Sequence, residues 1–220
     1  MEIYDISHTI RPGMAVWPGD PPVSRRMTSR MEEGGLADSS ELTLSAHTGT
    51  HLDAPAHYLP GGRPVDQLNL WVLVGPAELI TVTSHAGVIG RSHLDAVLAN
   101  RPRRLLIRAN APTELAEFPR EFVSLSPEAA EAIVESGVQL VGIDAPSVDS
   151  FDSRELPVHR ILGRRGVIIV ENLRFGDIPD GQYLLVALPL KIEGGDGSPI
   201  RAVLISPAAS VSDGKEGQLR

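Results

Sequence analysis

The chain contains no cysteine. Disulfides and thiolate metal sites are therefore excluded, and any metal must sit on histidine and carboxylate. Aromatic residues are scarce, at 4%, so Leu, Val, Ile and Ala must fill the core. Lysine is nearly absent: only Lys191 and Lys215 occur, and the other basic residues are arginine. With a net charge of −8, the chain lacks the clustered positive charge that a nucleic-acid partner requires. The short pairs Arg103-Arg104 and Arg164-Arg165 read as solvated faces rather than phosphate sites. The longest apolar run, residues 183–190, falls far short of the roughly 20 residues that span a bilayer. Met1-Glu2-Ile3-Tyr4-Asp5 shows no basic-then-apolar signal pattern. By elimination, a soluble cytoplasmic protein with no membrane partner is expected.

What is present suits a globular fold. Apolar residues make up 42% of the 220 positions, enough for a sizeable core. A single domain over residues 1–205 is expected, followed by a polar, frayed tail at 206–220. Alternation and β-branched enrichment predict strands near 3–7, 23–28, 41–46, 79–83, 105–108, 139–143, 167–170, 183–187 and 202–205. The clearest helix opens at Ser126-Pro127-Glu128, with serine as N-cap and proline at the first helical position, and closes at Gly137. Shorter helices are expected at 92–99 and 153–162, the latter carrying Pro157 in its first turns. Strands first and helix–strand alternation afterwards predict an α/β protein with mixed β-sheet layers and few helices.

Three of the seven histidines fall within eleven residues, His47-Thr48-Gly49-Thr50-His51-Leu52-Asp53-Ala54-Pro55-Ala56-His57. Imidazole and carboxylate are donors that Zn²⁺, Mn²⁺ or Fe²⁺ accepts. In an extended segment alternate residues share a face, so His47, His51 and Asp53 can converge. A helix would also pair His47 with His51, but Gly49 between two threonines, with Pro55 close behind, opposes one. A strand end running into a tight loop is expected instead, with Gly49 giving the backbone room. Aspartate has two oxygens and can bridge two ions, as in two-metal hydrolytic sites.

The segment resembles the signature His-x-Gly-Thr-His-x-Asp-x-Pro-x-His of the cyclase family of metal-dependent hydrolases at every fixed position. Trp17-Pro18-Gly19-Asp20, Gly142-Ile143-Asp144-Ala145-Pro146-Ser147-Val148-Asp149, Ala187-Leu188-Pro189-Leu190-Lys191 and Asp196-Gly197-Ser198-Pro199-Ile200-Arg201-Ala202-Val203 are similar to further family landmarks. The resemblance implies the family's β/β/α swivelling fold and a bacterial kynurenine formamidase-like activity, conversion of N-formyl-L-kynurenine to L-kynurenine and formate by a metal-activated hydroxide. It implies two divalent ions per subunit, zinc first and manganese as the other candidate. His47, His51 and Asp53 would hold the first ion, and Asp53, His159 and Glu171 the second. It further implies that His57 donates and accepts the proton, that Trp17 lines the pocket for a small amide, and that the chain forms a homodimer or a higher homo-oligomer.

The local sequence places His159 near the end of the helical stretch after Pro157, and Glu171 directly after the strand Val-Ile-Ile-Val. Two departures flank the second ion's residues: Glu171-Asn172-Leu173 replaces a frequent Glu-Gly-Leu, and Pro157-Val158-His159-Arg160 replaces a region that often holds adjacent histidines. They leave room for a cyclic amide or lactone of the isatin type as substrate. A non-catalytic metal-binding protein is the reading from another class, although the donor set together with His57 exceeds what a scaffold needs. His8, His85 and His93 lack partners at ligand spacing. Asp144 and Asp149 follow a strand end and read as turn formers or as groups behind the ligands. Ser45 and Ser147 have no Gly-x-Ser-x-Gly context, and Gly194-Gly195-Asp196-Gly197 reads as a flexible turn.

Overall fold

The computed structural model describes residues 1–84, 87–109, 111 and 117–206. His85, and the tail expected at 206–220 beyond Ser206, lie outside the described residues. Strands β1 (Ile3–Asp5), β2 (Ser24–Ser29), β3 (Ser39–Thr43), β4 (His51–Asp53), β5 (Val74–Thr81), β6 (Val88–Ile89) and β7 (Arg104–Arg108) come first. They are followed by β8 (Ser124–Leu125), β9 (Leu140–Ile143), β10 (Ile168–Glu171), β11 (Gly181–Val186), β12 (Gly197–Pro199) and β13 (Val203–Ile205). The α-helices among the described residues are α1 (Leu70–Leu73), α2 (Asp95–Leu98), α3 (Pro127–Ser136) and α4 (Pro157–Arg164). Nine of these strands build one mixed sheet in the order β1-β13-β11-β5-β7-β9-β10-β4-β12. The expected mixed α/β class with few helices is what the chain adopts.

The sheet's centre, β5, β7, β9 and β10, is parallel. Parallel strands are covered on both faces, which is why Leu105-Leu106-Ile107, Leu140-Val141 and Ile168-Ile169-Val170 read as unbroken apolar runs. Leu105, Ile107, Val141, Ile143 and Ile169 pack with the buried faces of α3 and α4. Leu106, Leu140, Ile168 and Val170 point the other way, onto Leu73 of α1 and onto Leu185 and Leu204 of β11 and β13. On α3, Ala129, Ala130, Ala132 and Ile133 are buried; Ser126 caps it by accepting the Ala129 N–H at 3.2 Å, and Gly137 ends it at φ 88°.

Several expectations need correction. The helix expected at 153–162 begins only at Pro157, because proline suits the first helical position and excludes Leu156 from the right-handed helical region; Leu156 sits at φ 47°. The helix expected at 92–99 divides into a 3₁₀ turn, Arg91–His93, and the short α2. Strands β2 and β3 pair only with each other, as a hairpin separate from the main sheet. Arg104 is no solvated residue: it is buried, and its guanidinium donates to the carbonyls of Val72 (2.8 Å), Val74 (2.7 Å), Pro76 (3.2 Å) and Trp71. Gly75 is required beside it, since a Cβ there would lie 2.5 Å from the guanidinium. No helix among the described residues is long and apolar enough to cross a membrane.

Candidate active site

Strand β4 lies antiparallel between β10 and β12. Its register sets His51 opposite Glu171, and Asp53 opposite Gly197. Alternation along three residues puts His51 and Asp53 on one face. His47 precedes the strand, in the turn that Gly49 makes at φ 63°. The extended geometry expected for the motif is therefore found after the glycine rather than before it, since β3 ends at Thr43.

Asp53 sits at the centre. Its Oδ1 is 2.8 Å from His47 Nδ1 and 3.4 Å from His51 Nε2, and its Oδ2 is 3.3 Å from His159 Nε2. Glu171, the last residue of β10, sets Oε1 3.3 Å from His159 Nε2 and Oε2 3.5 Å from His51 Nε2. Its Oε1 also accepts the Val148 N–H at 2.8 Å. His159 lies in the first turn of α4, not near the end of a helix as its sequence suggested, and it is buried rather than on the surface.

Each of these three imidazoles is tied on one nitrogen and aimed inward with the other. His51 Nδ1 lies 2.8 Å from the Gly49 carbonyl, and His159 Nδ1 lies 2.6 Å from Asp149. Asp149 also accepts the Val158 and His159 N–H groups at 3.0 Å each, so it anchors the start of α4 as well as the ring. It belongs behind the ligands, one of the two readings its sequence position allowed. His47 Nε2 faces Asp196 Oδ2 at 3.1 Å.

Asp53 and Glu171 are buried, and among the described residues only histidines lie within ion-pair distance of either. Burial pushes the His51 imidazole down, but Asp53 and Glu171 outweigh it and lift it to about 10. Burial opposes a charged His159 too, yet Asp149, Asp53 and Glu171 hold its pKa well above the ordinary value. Burial would raise Asp53, but His159, His47 and His51 keep it well below the carboxylate range. Such a cluster calls for positive charge at its centre. The donor atoms of His47, His51 and Asp53 lie within 4.8 Å of one another, as do those of Asp53, His159 and Glu171. Imidazoles tied outward and aimed inward, with buried carboxylates, are the donor chemistry a divalent cation takes. The site fits a divalent metal.

His57 belongs to neither of these sets. It ends the 3₁₀ turn Pro55–His57, with its ring centroid 4.0 Å from that of His47. Burial pulls its pKa down, against the pull of Asp53. A third set, His47, His57 and Asp196, also lies within 4.8 Å and is the most exposed of the three.

These groups open onto a cavity of about 350 Å³, also lined by Trp17, Phe118, Phe122, Arg11 and Arg174. Trp17 contacts Phe118 and Phe151 at ring-centroid distances of 5.0 and 5.2 Å. Three of the scarce aromatics, Trp17, Phe118 and Phe122, thus line the pocket, with Phe151 packed against Trp17. Phe118, Phe151 and Asp196 carry no site role in the sequence reading; their roles arise from contacts between distant segments. The nearest signal for Asp196 was the landmark Asp196-Gly197-Ser198-Pro199. The segment read as a flexible turn at Gly194–Gly197 does turn, and it sets Asp196 and Gly197 against His47. A Cβ on Gly197 would meet His47 Cε1 at 2.7 Å. Asn172 takes φ 54°, a conformation that glycine and asparagine share, so its replacement of the frequent glycine preserves the backbone there.

Known proteins are similar to this chain over most of its length. The chain is 40% identical over 203 residues to the kynurenine formamidase of Bacillus cereus, covering 92% of this chain and 97% of that one. A solved potential metal-dependent hydrolase with cyclase activity is 32% identical, with a TM-score of 0.79, covering 92% of this chain and 96% of that one. An isatin hydrolase solved with the product analogue thioisatinate shares the fold at TM-score 0.81 and 22% identity, over 94% of this chain and 93% of that one. The Cyclase family model ("Putative cyclase") matches residues 4–150, which include the whole His47–His57 motif. With a family model matching residues 4–150 and a relative 40% identical over 92% of it, the chain belongs to the cyclase family.

Proposed function

We propose that the chain is a metal-dependent amide hydrolase that cleaves N-formyl-L-kynurenine to L-kynurenine and formate. The observation that carries the reading is one buried carboxylate, Asp53, shared by two adjacent three-donor sets at the foot of an aromatic-walled pocket. Its similarity to the Bacillus cereus kynurenine formamidase supports the choice of substrate.

In this reading His47, His51 and Asp53 hold one cation, and Asp53, His159 and Glu171 hold the other. We assign zinc to both, with manganese as the ion to compare. Bound cations would lower the pKa of water toward 7 and polarise a carbonyl oxygen. The aromatic wall of Trp17, Phe118 and Phe122 holds the arene of the anilide against the donor sets. Water adds to the formyl carbon, the carbon–nitrogen bond breaks, and the departing nitrogen needs a proton. His57 takes the proton that the adding water gives up and passes it to that nitrogen: burial holds its pKa below the ordinary value, which suits the ring to accept a proton and return it. A homodimer is part of the same proposal, on the strength of the family resemblance, and size-exclusion chromatography with light scattering tests it.

The experiment is formate release from N-formyl-L-kynurenine by protein reconstituted with each metal, with isatin run in parallel. Formate release with isatin left intact is expected. Opening of isatin without formate release would overturn the formamidase reading in favour of a cyclic amide. Turnover of neither would favour a metal-binding protein without catalysis.

A further inference from the structure

Asp196 stands out among the site's carboxylates because the mechanism above gives it no task. Its backbone is fixed from several sides. Its carbonyl accepts the Ala54 N–H at 2.9 Å, next to Asp53, and the Gly195 carbonyl accepts the Val65 N–H at 2.8 Å. Asp66 takes the Gly194 N–H at 3.0 Å. Gly197 then pairs with Asp53 in the sheet and lets the His47 ring lie against the backbone. A turn held this way delivers its side chain to one place.

At that place one oxygen meets two imidazoles. Asp196 Oδ2 is 3.1 Å from His47 Nε2 and 3.6 Å from His57 Nδ1, while the two rings lie 4.0 Å apart and 36° from parallel. For His51 the outward nitrogen is held by the Gly49 carbonyl, and for His159 by Asp149. Asp196 completes the series for His47. Among the described residues it is also the only carboxylate within ion-pair distance of the His57 ring. An imidazole that must point one nitrogen at a cation needs its other nitrogen held, and loss of such a holder typically costs about 10–100-fold in metal affinity.

We propose that Asp196 is a positioning residue that fixes two rings at once: His47 toward the first donor set, and His57 toward the substrate's leaving nitrogen. The proposal rests on the ligand and proton-transfer roles assigned above, but its first readout needs no substrate. Zinc affinity of Asp196→Ala, measured by competition with a graded chelator, should fall about 10–100-fold. The kcat of the zinc-saturated variant on N-formyl-L-kynurenine should fall at least about tenfold with KM within about twofold, because ring placement and not substrate binding is lost. Asp196→Asn keeps an acceptor oxygen and should recover zinc affinity to within about threefold of wild type. Asp66→Ala removes one hydrogen bond of the same turn, leaves its backbone bonds to Ala54 and Val65 in place and touches neither ring, so zinc affinity and kcat should stay within about threefold of wild type.

Wild-type zinc affinity and kcat in Asp196→Ala would overturn the proposal. So would an equal loss in Asp66→Ala, which would assign the effect to the turn and not to the carboxylate. If the wild-type protein releases no formate, the substrate reading fails while the zinc measurement still decides the role of Asp196.

Discussion

Replacing Asp149 by alanine separates two consequences of a single side chain. Asp149 is buried and accepts three hydrogen bonds: from the N–H groups of Val158 and His159, and from His159 Nδ1. In Asp149→Ala the first turn of α4 loses its anionic anchor, worth about 0.5–2 kcal/mol for capping side chains. The His159 ring nitrogen is left buried without a partner, at about 1–3 kcal/mol. Together these give a loss of about 3 kcal/mol, which in a chain of this size corresponds to roughly 6–12 °C in Tm. That loss belongs to the metal-free fold and should appear in thermal or denaturant unfolding in the presence of a chelator. The second consequence belongs to the site. A His159 ring free to rotate should lower affinity at the set formed by Asp53, His159 and Glu171 by about 10–100-fold, read by metal competition. Asp149→Asn retains an acceptor and should fall between the variant and wild type in both measurements. If Asp149→Ala unfolds within about 1 °C of wild type and binds metal as tightly, the three hydrogen bonds do not have the role argued for them.

Three further outcomes are expected. His57→Ala should retain both metals by elemental analysis while kcat drops about 10²–10⁴-fold, the usual contribution of a positioned proton-transfer group; turnover at the wild-type rate would refute its role. Gly197→Ala places a Cβ 2.7 Å from His47 Cε1 and 3.0 Å from the Leu52 carbonyl, so it should cost about 1–3 kcal/mol of stability and weaken metal binding at His47, seen together in metal-free unfolding and in competition titration. Metal-free protein should also lose stability as the pH rises. His51 has its pKa raised in the fold from 6.5 to about 10. Its contribution is therefore complete below about 6.5 and lost as the pH climbs through about 10. Added zinc should flatten that decline, because a cation would take over from the imidazolium; a metal-free protein equally stable at both ends of the window would contradict this.

Legibility in the sequence followed distance along the chain. The His47–His57 motif was readable because its donors are neighbours and its spacing carries geometry. The parallel strands were readable because burial on both faces leaves an unbroken apolar run, as in Leu105-Leu106-Ile107. The cap and stop of α3 were readable because Ser126, Pro127 and Gly137 act locally. Strands β4 and β12 were not, because three-residue strands bearing Asp or Gly carry no periodic signal. His159 was misplaced within its helix because the pattern starts that helix at Ser153, whereas Pro157 is its first helical residue. Asp149 was open to two readings, turn former or group behind the ligands, and Asp196 could not be found by pattern, because each acts on a ring that the fold, not the sequence, brings near.

The placement of β4 has a consequence for how the molecule is held together. The second donor set does not close within the motif's own neighbourhood: Asp53 and His159 are 106 residues apart in the chain. A cation bound by Asp53, His159 and Glu171 would tie the early third of the protein to its later half. It would do thermodynamically what a long-range disulfide does, by removing loop freedom from the unfolded chain. In a protein with no cysteine, the ion of that set would then double as a cross-link, and chelation would release a structural clasp along with the chemistry.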